Sequence, residues 1–179
     1  MKKIFCTILV FVLIVSVFSF SASAASTANF LIDNDTVDST CKTERDGFGI
    51  YVTGSSHYNG DCRRQASSNK YTWYQWCKKN EVIYSSYYPI YMVAGVYLNN
   101  SMFTDTQAHY YVVQRDGGYL MNILNQNTAP AGWTYFDYII SVNYATPNGF
   151  SLYGMYVSPS GIGTGYTGAD AIRITAEAG

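Results

Sequence analysis

Ala108-His109-Tyr110-Tyr111-Val112-Val113-Gln114-Arg115-Asp116-Gly117-Gly118-Tyr119-Leu120-Met121-Asn122-Ile123-Leu124-Asn125-Gln126 decides the fold. Two runs rich in β-branched and aromatic residues flank Arg115-Asp116-Gly117-Gly118. Asp-Gly and Gly-Gly tolerate the positive φ of a tight hairpin, so 108–114 and 119–126 read as paired strands. Runs of the same kind recur outward at 30–33, 48–53, 71–77, 81–84, 95–98, 133–142, 150–157 and 169–175. Turn residues separate them, among them Pro147-Asn148-Gly149 and the Gly/Ser/Pro-rich loop 158–168. Helix-period stretches bounded by caps are missing. Many short strands at such spacing predict an all-β sandwich or barrel. Neither a repeat nor a linker divides them.

The first residues follow other rules. Lys2 and Lys3 precede an almost unbroken apolar run over 4–20, and Ser21-Ala22-Ser23-Ala24-Ala25 follows. Ala22-Ser23-Ala24 has the small-x-small form that signal peptidase reads. A spanning helix needs about 20 apolar residues, and this run falls slightly short. Cys6 lacks a lipobox before it. We read 1–25 as a cleaved signal peptide and 26–179 as one secreted, extracellular domain with no membrane association after cleavage. Cleavage lowers the 11 Lys and Arg to nine against 12 acidic residues, a net charge of −3. Cys41, Cys62 and Cys77 remain, so one structural disulfide and one odd thiol are expected outside the cell, with spacing alone naming no pair.

Composition excludes several functions. Near-neutral charge lacks the basic face that nucleic acid requires. The 18 Tyr, nine Phe and three Trp exclude disorder. Two His leave little for a His-rich metal site. Gly163-Thr164-Gly165-Tyr166-Thr167-Gly168 matches G-x-G-x-x-G, but a strand-like run follows where a dinucleotide fold needs a helix. No G-x-S-x-G elbow exists. A cysteine nucleophile would need His57 or His109 beside it, and no local sequence resembles such a site. Paired carboxylates for glycoside cleavage depend on spatial separation, and Glu44, Glu81 and Glu177 occupy undistinguished settings. Asp33-Asn34-Asp35-Thr36-Val37-Asp38 is oxygen-rich enough for structural calcium, yet lacks the EF-hand glycine and terminal Glu. We read it as a turn whose Asp and Asn bond their own backbone, and expect neither metal nor cofactor.

Aromatic residues cluster at Tyr71, Trp73, Tyr74 and Trp76 and at Tyr84, Tyr87, Tyr88 and Tyr91. Sugar rings stack their apolar faces on Trp and Tyr. The same residues also fill sandwich cores and pair across strands. Tyr71, Trp73, Trp76, Tyr84, Tyr87 and Tyr88 are the expected contact residues.

The motif order resembles the golvesin C-terminal, or xanthan-lyase carbohydrate-binding-like, domain family. The matching elements, in order, are Ile32-Asp33-Asn34-Asp35, Gly60-Asp61-Cys62-Arg63, Trp73 or Trp76, Ala94-Gly95-Val96-Tyr97-Leu98 and His109-Tyr110-Tyr111-Val112. Asn125-Gln126 with Gly132-Trp133-Thr134-Tyr135-Phe136, and Gly168-Ala169-Asp170-Ala171-Ile172-Arg173-Ile174, complete the set. Cys62 stands where the family has Tyr. Thr134-Tyr135-Phe136 replaces a common Leu-Gly, and 71–91 is longer and richer in Tyr. The resemblance implies a jelly-roll-like, galactose-binding-like β-sandwich whose first and last strands are neighbours. It implies structural roles for Asp33, Asn34, Arg63, Gln126, Trp133, Asp170 and Arg173. Asp170 would be a buried carboxylate tying the last strand to a loop. Gln126 would bond loop backbone while Trp133 packs beneath. It further implies a non-catalytic module that binds polysaccharide or cell-envelope glycan, the alternative being an interaction module for a surface protein.

Overall fold

Residues 172–178 alternate strictly: Ile172, Ile174, Ala176 and Ala178 are buried, while Arg173, Thr175 and Glu177 are exposed. That period of two is a strand with one face on a core. In the computed structural model, which describes residues 27–80, 82–85, 89–99, 101–114, 117–140, 150–162 and 165–178, such strands build a sandwich. In chain order they are β1 (Thr27–Ile32), β2 (Cys41–Asp46), β3 (Ile50–Thr53), β4 (Asp61–Ala66), β5 (Trp73–Lys78), β6 (Ile83–Ser85) and β7 (Ile90–Leu98). Then follow β8 (Ala108–Gln114), β9 (Gly117–Leu124), β10 (Gly132–Ile140), β11 (Phe150–Leu152), β12 (Gly154–Ser158), β13 (Tyr166–Ala169) and β14 (Ile172–Ala178). The one helical element among the described residues is a 3-10 turn at Tyr58–Gly60. The expected signal peptide lies outside the described residues.

One layer is the antiparallel sheet β1-β14-β7-β10, so the first and last strands pair directly, from Thr27↔Glu177 to Ile32↔Ile172. The other is β2-β5-β12-β8-β9, with the expected hairpin as β8–β9. Ile172, Ile174, Met92, Ala94 and Val96 from the first share one buried cluster with Tyr74, Trp76, Tyr110, Val112 and Met155 from the second. A small sheet β13-β4-β3 and the pair β11-β6 complete the fold. The class is all-β sandwich, as expected.

Three strands run through segments without a strand pattern. β2 (CKTERD) and β4 (DCRRQA) are charged, and β13 occupies the end of the Gly-rich loop. Their neighbours, not their propensities, fix them: β2 pairs with β5 along its whole length, and β4 lies between β3 and β13. The last four residues of the G-x-G-x-x-G match therefore include strand, which no dinucleotide fold would allow.

The expected disulfide is absent: Cys41, Cys62 and Cys77 are free and buried. Cys41 lies opposite Lys78 and Lys42 opposite Cys77, so Cys41 and Cys77 point to opposite faces of one sheet. Cys62 belongs to another sheet. Burial pushes the Cys62 and Cys77 thiols up to about 12. Since the thiolate is the reactive form, an aromatic disulfide reagent should label less than one of these three thiols per native chain and all three in denaturant. Rapid native labelling of Cys62 or Cys77 would contradict this burial.

Candidate functional site

The conspicuous chemistry is a line of buried polar groups. His57 Nε2 is 3.7 Å from Cys62 Sγ, and its Nδ1 is 3.3 Å from Asn99 Nδ2 and 3.7 Å from Asp170 Oδ2. Cysteine, histidine and carboxylate in sequence suggest a nucleophile with its base. The hydrogen bonds forbid it. Asn99 Oδ1 accepts from Ser101 N–H and Oγ, which fixes the amide and turns Nδ2 toward Ser56 Oγ and His57. An amide nitrogen only donates, so His57 Nδ1 accepts and its proton sits on Nε2, aimed at Cys62. A base that already carries its proton toward the thiol cannot remove another. Cys62 is 0% exposed, so nothing could reach it. Burial depresses the His57 imidazole and raises the Asp170 carboxyl to about 8, keeping both neutral in the core. Asp170 Oδ2 accepts the Tyr58 N–H at 3.0 Å, tying the turn before β4 to the link between β13 and β14.

The neighbouring acidic stretch is likewise internal wiring. Asp33 accepts from Asn34 N–H at 2.8 Å and from Asn59 Nδ2 at 2.7 Å, and Asn34 Nδ2 donates to Asp61 Oδ1 at 2.6 Å. Asp38 Oδ1 accepts the N–H groups of Thr40 and Cys41. Arg63 lies over the Tyr51 ring at 4.3 Å. Buried Gln126 joins three elements: Nε2 donates to Tyr110 Oη at 2.7 Å and Gly168 O at 3.0 Å, and Oε1 accepts the Gly168 N–H at 2.8 Å.

The expected contact residues do not form one face. Tyr71 is 79% exposed on a turn, and Trp73 is half-buried at the start of β5. Trp76 is a correction: it is 1% exposed, and its indole donates to Asp170 O at 3.1 Å. Its strand phase turns it inward beside Tyr74. Tyr84 lies in β6, and Tyr87 and Tyr88 fall outside the described residues.

Aromatic residues instead gather on the outer face of β1-β14-β7-β10. Trp133, expected beneath the corner, is half-buried on this face opposite Tyr97. Its ring meets Tyr97 at 5.4 Å and Tyr58 at 5.6 Å edge to face, and Tyr135 at 6.3 Å in a stacked arrangement. Arg173 lies over it at 4.9 Å. Gly95 makes room, because a Cβ there would come within 2.7 Å of the Tyr135 ring. Tyr135 and Tyr91 are each 51% exposed. A groove lined by Tyr91, Val93, Ile139 and Thr175, with Asp137 and Glu177 at its sides, continues the strip. Each phase of 133–139 carries at least two large apolar or aromatic residues (Trp133, Tyr135 and Ile139 on one, Phe136 and Tyr138 on the other), and that doubling in an edge strand was the available signal for a second buried or binding face. On the other sheet Tyr111 and Tyr156 stack on each other at 4.4 Å, which covers one face of each ring.

No family model matches the chain and no curated protein matches it. Several solved structures resemble it. A xanthan lyase from Paenibacillus is 16% identical at a TM-score of 0.49, covering 82% of this chain and 13% of its own. The C-terminal CBM6 of a marine laminarinase from Zobellia galactanivorans is 15% identical at 0.41, covering 82% and 98%. The K1 cleaved adhesin domain of Lys-gingipain from Porphyromonas gingivalis is 11% identical at 0.42, covering 84% and 97%. This chain thus spans a small part of the lyase. With TM-scores below 0.5, none of these likenesses bears on the site.

Proposed function

We propose that the chain is a secreted, non-catalytic module of the golvesin/xanthan-lyase carbohydrate-binding-like type, binding polysaccharide or cell-envelope glycan through the outer face of β1-β14-β7-β10. The observation that carries this reading is the strip of Trp133, Tyr135 and Tyr91, whose rings and flanking polar groups suit sugar faces and hydroxyls. The wired, inaccessible Cys62–His57 pair supports a non-catalytic role. Affinity electrophoresis against a polysaccharide panel tests it. Tyr135→Ala and Tyr91→Ala should each weaken retention while changing stability by less than about 0.5 kcal/mol, because both positions are exposed. Tyr71→Ala, on a turn leading into the other sheet, should leave retention unchanged.

Exposed Val93 and Ile139 favour a second reading, a face for a surface protein. A panel without retention, beside a single partner captured through this face, would decide for it.

A further inference from the structure

Within that glycan-binding reading, we infer that the site takes an internal stretch of an uncharged linear polysaccharide, several sugars long, lying along β7 and β10.

The register sets the footprint. Trp133 pairs with Tyr97, Tyr135 with Gly95, Asp137 with Val93 and Ile139 with Tyr91, all pointing outward. At about 3.3 Å per strand residue, Trp133 to Ile139 spans roughly 20 Å and Tyr135 to Tyr91 roughly 13 Å. That exceeds any one sugar ring and matches a run of linked rings. Among the described residues β10 is the edge strand of its sheet, so a chain can lie along the strip without presenting an end. A pocket for a terminal sugar would need walls, and among the described residues the groove's lining comes from β7, β10 and β14 of one sheet.

Charge sets the class. Arg173 sits over Trp133 at one end. Asp137 and Glu177 flank the groove at the other. Exposed charges are screened beyond about 8–10 Å, so the two ends act separately. A polyanion meets the carboxylates and a polycation meets the guanidinium. An uncharged chain meets neither penalty, and its hydroxyls hydrogen-bond both kinds of group.

The experiment uses a neutral polysaccharide retained in the panel, its oligosaccharides from mono- to hexasaccharide as competitors, and a uronate polymer as the anionic probe. Competition should strengthen by at least about tenfold in Kd from disaccharide to tetrasaccharide. Tyr91→Ala and Tyr135→Ala should each flatten that increase from opposite ends. The uronate polymer should not be retained by the parent and should gain retention with Asp137→Asn/Glu177→Gln. A monosaccharide competing as well as the hexasaccharide would overturn the extended footprint while leaving glycan binding standing. Uronate retained best by the parent, or not gained by the double variant, would overturn the charge argument. Absence of retention on every glycan would overturn the underlying reading, and this inference with it.

Discussion

Trp76→Ala is expected to lower the melting temperature by roughly 10–30 °C, the largest effect of any single side-chain removal proposed for this chain. Trp76 is among the largest fully buried side chains, packed edge to face on Tyr74 at 5.1 Å. Emptying a Trp site costs about 3–5 kcal/mol, and stranding the Asp170 carbonyl that its indole serves adds about 1–3 kcal/mol. For a domain of this size, 1 kcal/mol moves the midpoint by about 2–4 °C. Trp76→Phe should recover part of the loss, since it keeps a six-membered aromatic ring but forfeits the five-membered half of the indole with its N–H. Thermal melts of both variants by near-ultraviolet dichroism check this. A Trp76→Ala protein that melts with the parent yet loses glycan would instead restore Trp76 as a contact residue.

Trp76 also shows where the sequence stops speaking. Strand existence was legible at 71–77 because Tyr, Trp and Gln alternate with partners that suit a pleated surface. Face was not, since Trp73, Tyr74 and Trp76 could each sit on either side until β12 and β2 fix the neighbours. The hairpin 108–126 was legible because its turn chemistry is local. β2 and β4 were not, because their charges suit an edge strand and a small peripheral sheet, settings that only tertiary pairing creates. Asp170 could be placed by asking where a carboxylate flanked by two alanines finds donors, and Gln126 by its position before a Pro-containing loop whose backbone needs partners. The aromatic strip escaped that logic. Its position after the Pro-containing loop reads Trp133 as packing beneath a corner, and the glycine that lets the outer rings lie flat, Gly95, sits 38 residues earlier on β7.

Asp170→Asn is expected to abolish a loss of stability that the parent shows as pH rises toward 8. Burial raises the Asp170 carboxyl from 3.8 to about 8, and the nearby Asp33 and Asp61 charges add to the rise. The Tyr58 N–H acts against it without reversing it. A carboxyl raised in the folded state contributes stability that is fully present below pH 3.8. As pH rises between 3.8 and 8, the unfolded chain releases the proton and the folded chain keeps it, so stability falls. For one proton the slope is roughly 1–2 kcal/mol per pH unit, flattening above 8. Asp33, also raised by burial, tilts the curve in the same sense. His57 works oppositely: its depressed imidazole contributes stability above 6.5 that is lost as pH falls. The interval from 6.5 to 8 therefore holds the Asp170 effect with His57 silent. Asparagine keeps an acceptor for Tyr58 N–H and carries no charge, so the variant should equal the parent near pH 4 and exceed it at pH 8. Urea unfolding at half-unit steps from pH 4 to 9 measures this. Parallel curves for parent and variant across 6.5–8 would mean that Asp170 holds no proton in the fold, and that the polar line through His57 is charged at its end.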